Sequence, residues 1–297
     1  MPLYLTCGRR YSGNVLRTAA LAIVLSTLVA SCAAGPEPRR FSLRGQVLAV
    51  QPDRQVVTVK HEDIRGFMDA MTMPFKVRDR RLLDPLRPGD LITATLVVLG
   101  DESYLEGIER VGRADLPPPT AVAPPTPALL QPGEPVPDVT LTDQDGRPLA
   151  LSSLAGSTVV LTFIYTRCPL PDYCPLMDRN FEAIQKAIAA GTARGVRLLS
   201  ITFDPSFDTL AVLKAHAAAV GADPAIWSFL TGDAAVIEQF GARLGLEVMR
   251  DPSNPGDITH NLRTAIIDRR GTLKKIFDGN DWTPRDVLAE LAALPGS

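Results

Sequence analysis

The stretch Thr162-Phe163-Ile164-Tyr165-Thr166-Arg167-Cys168-Pro169-Leu170-Pro171-Asp172-Tyr173-Cys174-Pro175 decides the fold of the larger part of this chain. Its first residues close an apolar run from Val159 to Tyr165, which reads as a buried strand. Beyond Pro175, the residues Leu176, Met177, Phe181, Ile184 and Ile188 recur at helical spacing. Proline favours the first helical position, so Cys174 is predicted at the N-cap and Cys168 in the loop before it. Unpaired N–H groups at a helix N-terminus favour a thiolate. Five residues separate the cysteines, enough chain to bring the sulfurs together without strain.

Working outward, strands and helices alternate. Val196 to Phe203 reads as a strand, Asp208 to Val220 and Ala234 to Leu244 as helices. Thr264 to Asp268 and Leu273 to Phe277 form a hairpin around Arg270-Gly271, and Pro284 to Leu294 is a closing helix. This order, over residues 138–297, resembles the α/β thioredoxin-like fold. His216 sits mid-helix among alanines and reads as a surface residue. His260 falls in Asp257-Ile258-Thr259-His260-Asn261, read as a loop just before a strand. In thioredoxin-like architecture that loop faces the cysteine loop, and thioredoxins carry a cis-proline there. Cys168, Cys174 and His260 would make a trigonal site suited to Cu(I) and adaptable to Cu(II). Competing readings of the pair are a structural disulfide, which would staple only a small loop, a thiol–disulfide exchanger and a peroxidase. An exchanger normally has two intervening residues and the cis-proline. The peroxidase pattern wants a threonine three residues before its cysteine, and Thr166 is two before Cys168.

Upstream, residues 41–113 read as all-β. Val47, Leu48 and Val50 begin it, and Val56, Val57 and Val59 follow the turn Pro52-Asp53-Arg54. Leu91 to Leu99, opened by Pro88-Gly89-Asp90, and Tyr104 to Val111 complete a small closed, OB-like barrel. Residues 114–137 are dominated by proline, which predicts a semi-rigid extended linker between two domains. Inside the barrel, Met68, Met71 and Met73 hold half of the chain's six methionines. Met71 and Met73 alternate along a strand and point the same way. His61 ends the preceding strand. Thioethers are soft and neutral, so one imidazole and two thioethers suit Cu(I) or Ag(I) in an oxidising space. The competing reading is a methionine stripe packed in a barrel core.

The first residues read as an export signal, 1–31. Arg9, Arg10 and Arg17 precede the apolar run Thr18 to Ala30, which is shorter than a membrane span. Val29-Ala30-Ser31-Cys32 resembles a bacterial lipobox, with Cys32 as the lipidated residue. Cys7 leaves with the signal. Residues 32–40 form a tether, and Ala33-Ala34 after the cysteine favours the outer membrane by the rule for such lipoproteins. The expected mature protein is a membrane-anchored lipoprotein facing the periplasm, with two free thiols in an oxidising compartment. The 297 residues suffice for two domains, and 45% hydrophobic content suffices for their cores. A net charge of −2 with no block of like charge argues against a nucleic-acid binder.

Residues 134–295 resemble the SCO/SenC family of copper-delivery proteins. The matching stretches are Thr162 to Pro169, Asp172-Tyr173-Cys174-Pro175, Ser200-Ile201-Thr202-Phe203-Asp204-Pro205 with Asp208-Thr209, and His260. The resemblance implies copper ligation by Cys168, Cys174 and His260, with Asp204 close by. The family usually has three residues between its cysteines, and here there are five. Residues 41–113 resemble CusF-like periplasmic copper and silver binding domains, which implies His61, Met71 and Met73 as ligands. Where that family often places a tryptophan over the ion, Met68 stands as a candidate third thioether. Together the resemblances imply a periplasmic copper metallochaperone. Its acceptor would be the copper-site subunit of cytochrome c oxidase or another periplasmic copper protein. The linker would hold the two domains at high effective concentration, allowing transfer between them. The alternatives are a thiol–disulfide oxidoreductase acting on acceptor-protein cysteines, and a copper or silver resistance buffer.

Overall fold

The computed structural model describes residues 37–117, 128–251 and 254–294. The expected signal peptide, Cys32, and the middle of the proline-rich stretch lie outside the described residues. Among the described residues no helix is long and apolar enough to cross a membrane.

Five antiparallel strands build the first lobe: β1 (Arg39–Gln51), β2 (Val56–His61), β3 (Met71–Lys76), β4 (Asp90–Leu99) and β5 (Glu102–Arg113), in the order β3-β2-β1-β4-β5. Val77, just past β3, bridges Leu105 of β5, so the two edges of the sheet meet and the sheet curls into a small barrel. Alternation along β2 turns Val57, Val59 and His61 inward, where Leu43, Val47, Phe75 and Leu96 fill the core.

The second lobe is thioredoxin-like. Its elements are β6 (Thr140–Asp143), β7 (Pro148–Ala150), β8 (Thr158–Ile164), α1 (Cys174–Ala189), β9 (Val196–Thr202), α2 (Leu210–Ala219), β10 (Trp227–Thr231) and α3 (Ala234–Arg243), followed by β11 (Val248–Asp251), β12 (Asn254–His260), β13 (Arg263–Ile267), β14 (Leu273–Asp278) and α4 (Pro284–Ala292). Seven strands form one mixed sheet in the order β14-β13-β8-β9-β10-β6-β7. β8 is buried at every position between parallel β9 and antiparallel β13, which explains its unbroken apolar run. The chain leaves the end of β8, forms the loop holding Cys168, and enters α1, whose Met177, Phe181 and Ile184 pack onto the sheet.

Three expectations shift. Tyr173, not Cys174, is the N-cap of α1, and Cys174 is its first helical residue. Pro175 is still tolerated one position later, because N–H groups throughout the first turn lack intrahelical acceptors. His260 is not in a loop: it ends β12 and pairs with Val248 of β11 in a separate two-stranded ribbon. The expected linker is already packed from Leu130 onward. Leu130 is buried and its N–H donates to Arg243 O at 2.9 Å. The N–H groups of Gly133 and Val136 donate to Leu273 O at 2.8 Å and Gly271 O at 2.9 Å. Extended proline-rich chain needs outside partners for its backbone, and the turn and edge at β14 provide them.

The two lobes belong to one compact unit, Pro38–Ser297. The five residues between the cysteines join them. Tyr173 Oη donates to Pro74 O of β3 at 2.6 Å, and Ser103 Oγ of β5 donates to Asp172 Oδ1 at 2.5 Å. Asn280 Nδ2 donates to Asp172 O at 2.5 Å. Strand β12 also lies against β3. Burial pushes the Asp172 carboxyl above its ordinary range, and the Ser103 hydroxyl opposes that rise. Ser103→Ala leaves a buried carboxyl oxygen without its donor and is expected to cost about 1–3 kcal/mol, read as a lower urea midpoint at unchanged slope. An unchanged midpoint would show that this contact does not hold the lobes.

Candidate metal centres

The first donor set lies inside the barrel. His61 at the end of β2 pairs directly with Met71 of β3, and Val59 pairs with Met73. His61, Met71 and Met73 are all buried on the inner face. Gly45 of β1 faces His61 from the other side. A Cβ there would stand 2.5 Å from Lys60 O and 2.8 Å from His61 Cα, so only glycine lets β1 run this close. His61 Nδ1 is 2.7 Å from Glu62 O. A carbonyl only accepts, so Nδ1 carries the proton and Nε2 keeps its lone pair. Met68 comes from a short loop closed by its bridge to Ile64, and it is also buried. The burial satisfies the core-packing reading as well, but it places three thioethers and an imidazole at one end of one lobe.

The second set centres on Cys168 and Cys174. Both are free, buried thiols, close enough that each shifts the ionisation of the other. The Cys174 thiol holds Cys168 below the usual thiol range against the cost of burial, with help from the Cys174 and Leu170 backbone and the Tyr165 hydroxyl. Cys174 is pushed well above that range by burial and by the neighbouring Cys168. The pair is therefore asymmetric: Cys168 is the easier of the two to ionise.

His260 repeats the device of His61. Its Nδ1 is 2.9 Å from Asn261 O, which leaves the lone pair on Nε2. Its ring packs on Phe203 at 4.4 Å and against Tyr165 at 5.5 Å between centroids. Burial lowers its pKa to about 4, so the ring is neutral at any ordinary pH. The structure brings the two thiols together but not the imidazole. Among the described residues no three His, Cys, Asp or Glu side chains are gathered closely enough to hold an ion. His260 approaches the thiols through Tyr165, whose ring packs against it and which is an electrostatic neighbour of Cys168.

Asp204 is buried and acts on the residue beside Cys168. Its Oδ2 accepts from Arg167 Nε at 3.0 Å and Nη2 at 2.8 Å, while its Oδ1 accepts from Ser206 Oγ at 3.0 Å. It both closes its own turn and fixes Arg167. His216 is not a surface residue. It is half-buried, with Nε2 2.9 Å from Asp178 Oδ2 and its ring against Phe229, and it ties α2 to α1. Tyr165 and Arg167 are the side chains that reading the sequence for donors passes over. They line a cavity of about 490 Å³ together with Met68, Met71, Arg65 and Pro169. Tyr165 Oη is 4.0 Å from Met71 Sδ. Their position beside Cys168 in the chain was visible, but a partner in a distant strand was not.

Comparison with known proteins agrees with this layout. The profile of the SCO1/SenC family matches residues 130–295, more than half of the chain. The chain belongs to the SCO1/SenC family. A second profile, "Copper binding periplasmic protein CusF", matches residues 40–110, which contain the barrel. Among curated relatives, the SCO1 protein homolog of Bacillus subtilis (strain 168) is 30% identical over 150 residues, 50% of this chain and 76% of the relative. A putative copper-binding protein of Stutzerimonas stutzeri is 29% identical over 149 residues, 49% of this chain and 71% of the relative. Among solved structures, a SCO1/SenC family lipoprotein from Bacillus anthracis str. Ames is 27% identical, with a TM-score of 0.50, and covers 56% of this chain and 99% of its own.

The environment of His260 predicts a titration. Between its ordinary value of 6.5 and about 4, the unfolded chain binds a proton that the native state refuses. Its contribution to stability is therefore full above 6.5, falls as pH drops through that window, and levels off below about 4. Ring NMR should place its midpoint near 4; a midpoint near 6.5 would contradict the packing described.

Proposed function

We propose that this chain is an exported, lipid-anchored copper metallochaperone that passes copper to a periplasmic cuproenzyme, with the copper-site subunit of cytochrome c oxidase as the favoured acceptor. Copper is its cargo. The observation that carries the reading is the pairing of two soft-donor sets in one compact unit: the neighbouring buried thiols Cys168 and Cys174, and His61 with Met71 and Met73. Cys168, Cys174 and His260 are assigned as ligands in the second lobe. His61, Met71 and Met73, with Met68, are assigned in the barrel. Asp204 supports the second set through Arg167, and Cys32 carries the lipid. The donors fit the ion. Thiolate and thioether sulfur suit Cu(I), and both imidazoles hold the tautomer that leaves Nε2 for a metal. Capture would bring His260 past Tyr165 to the thiols, since catalytic and binding geometry often tightens only with the ligand in place.

The asymmetric free dithiol also supports a second reading, a reductase of acceptor-protein disulfides. The two readings part at His260. Cu(I) titration of the mature chain should show two classes of site, one dominated by thiolate and one by thioether and imidazole. His260→Ala should weaken the thiolate site by more than the roughly 100-fold that loss of a mere supporting partner costs, and leave dithiol reduction intact. Unchanged copper affinity in that variant sinks the chaperone assignment for the second lobe.

A further inference from the structure

Tyr165 lies between the two donor sets and touches both. Its hydroxyl lies 4.0 Å from Met71 Sδ of the barrel, its ring packs against His260 of the second lobe at 5.5 Å between centroids, and the Cys168 sulfur is its electrostatic neighbour. Met68, Met71, Tyr165, Arg167 and Pro169 line one cavity of about 490 Å³. This juxtaposition does not depend on a flexible tether. Tyr173 and Asp172, in the same loop as Cys168, are fixed to Pro74 and Ser103 of the barrel. Arg167 is held at the rim by Asp204. A phenol has one proton to donate, so Tyr165 can serve one of the two sulfurs at a time.

We propose that copper moves inside this chain, from Met71 across this cavity to Cys168, with Tyr165 as the positioning residue of the passage. The inference rests on the reading of both sets as copper ligands. The step is a ligand exchange. The copper–Met71 Sδ bond breaks as the copper–Cys168 Sγ bond forms, the bonds to His61 and Met73 break as Cys174 and His260 take their places, the ion stays Cu(I), and no electron is transferred. When Cys174 joins the ion, its thiol proton leaves to solvent. With copper on Met71 the Tyr165 hydroxyl supports the Cys168 thiolate as the incoming ligand. With copper on Cys168 it returns to the Met71 thioether and occupies the donor just vacated.

The test is stopped-flow mixing of the anaerobic, full mature chain with less than one equivalent of Cu(I) supplied as its acetonitrile complex, following thiolate-to-copper absorbance. The expected trace contains a first-order phase whose rate does not change with protein concentration. A thiolate band that grows only at a rate proportional to protein concentration overturns the passage. The through-solution rate is set by mixing copper-loaded Cys168→Ser/Cys174→Ser chain with Met71→Leu/Met73→Leu chain. Transfer in the unaltered chain must exceed that rate at low concentration. Tyr165→Phe keeps the ring and removes the hydroxyl. It should slow the first-order phase roughly tenfold, the worth of one hydrogen bond to a charged group, with the number of copper sites unchanged. An unaltered rate in Tyr165→Phe removes Tyr165 from the passage, and a misfolded variant leaves the concentration test to decide. If the Cys168→Ser/Cys174→Ser chain binds no copper, the barrel assignment itself fails and the passage falls with it, an outcome distinct from two occupied sites that exchange only through solution.

Discussion

The grip of the inter-cysteine loop on the barrel is the constraint on which the rest of this structure depends. Tyr173 and Asp172 are buried, and each ends on an atom of the other lobe. A buried hydroxyl or carboxyl is costly without a partner, so these contacts fix the loop as firmly as they fix the barrel. The loop is two residues longer than the spacing usual for its family. That extra chain carries the docking atoms while Cys168 and Cys174 still meet. What reads in one dimension as a departure from a metal-site pattern is, in three, the means by which one lobe is seated on the other.

Around that seat the chemistry is set by neighbours rather than by residue type alone. Two buried cysteines of the same kind differ because the groups around Cys168 outweigh its burial, while at Cys174 burial and the neighbouring Cys168 prevail. Two histidines in unrelated folds reach the same tautomer because each backs onto the carbonyl of the residue that follows it. Asp204 has no contact with a sulfur in its hydrogen bonds; it acts by holding Arg167.

Much of this was legible in the sequence, and for a physical reason. The short, β-branched run from Val159 to Tyr165 fits a central strand by its length and composition, and the heptad-like return of Met177, Phe181 and Ile184 marks a helix packed on it. The inward alternation of His61, Met71 and Met73 follows from strand geometry alone. The misplacements have equally local causes. His260 sits in a ribbon whose partner strand, Val248–Asp251, carries no alternation to announce it. His216 was read as exposed because its helix neighbours are alanines, whereas its partner Asp178 lies 38 positions away. Composition marks where proline dominates but not where a free strand edge takes such chain in, so the reach of Gly133 to Val136 onto β14 and its turn was hidden. Tyr165 was hidden for the same reason: its partners are a sulfur three positions on and another in the other lobe.

The single proton of Tyr165 has a consequence for how much the molecule can hold. With both donor sets free, or with one filled, the hydroxyl always has a sulfur to point at. With both filled it has neither, and it must trade a sulfur for water in the cavity it lines, at a net cost of about 0.5–1.5 kcal/mol. That penalty falls on whichever ion arrives second, and linkage makes it the same from either side. On the reading proposed above, the two sites are then anticooperative, and a second ion binds more weakly than the first.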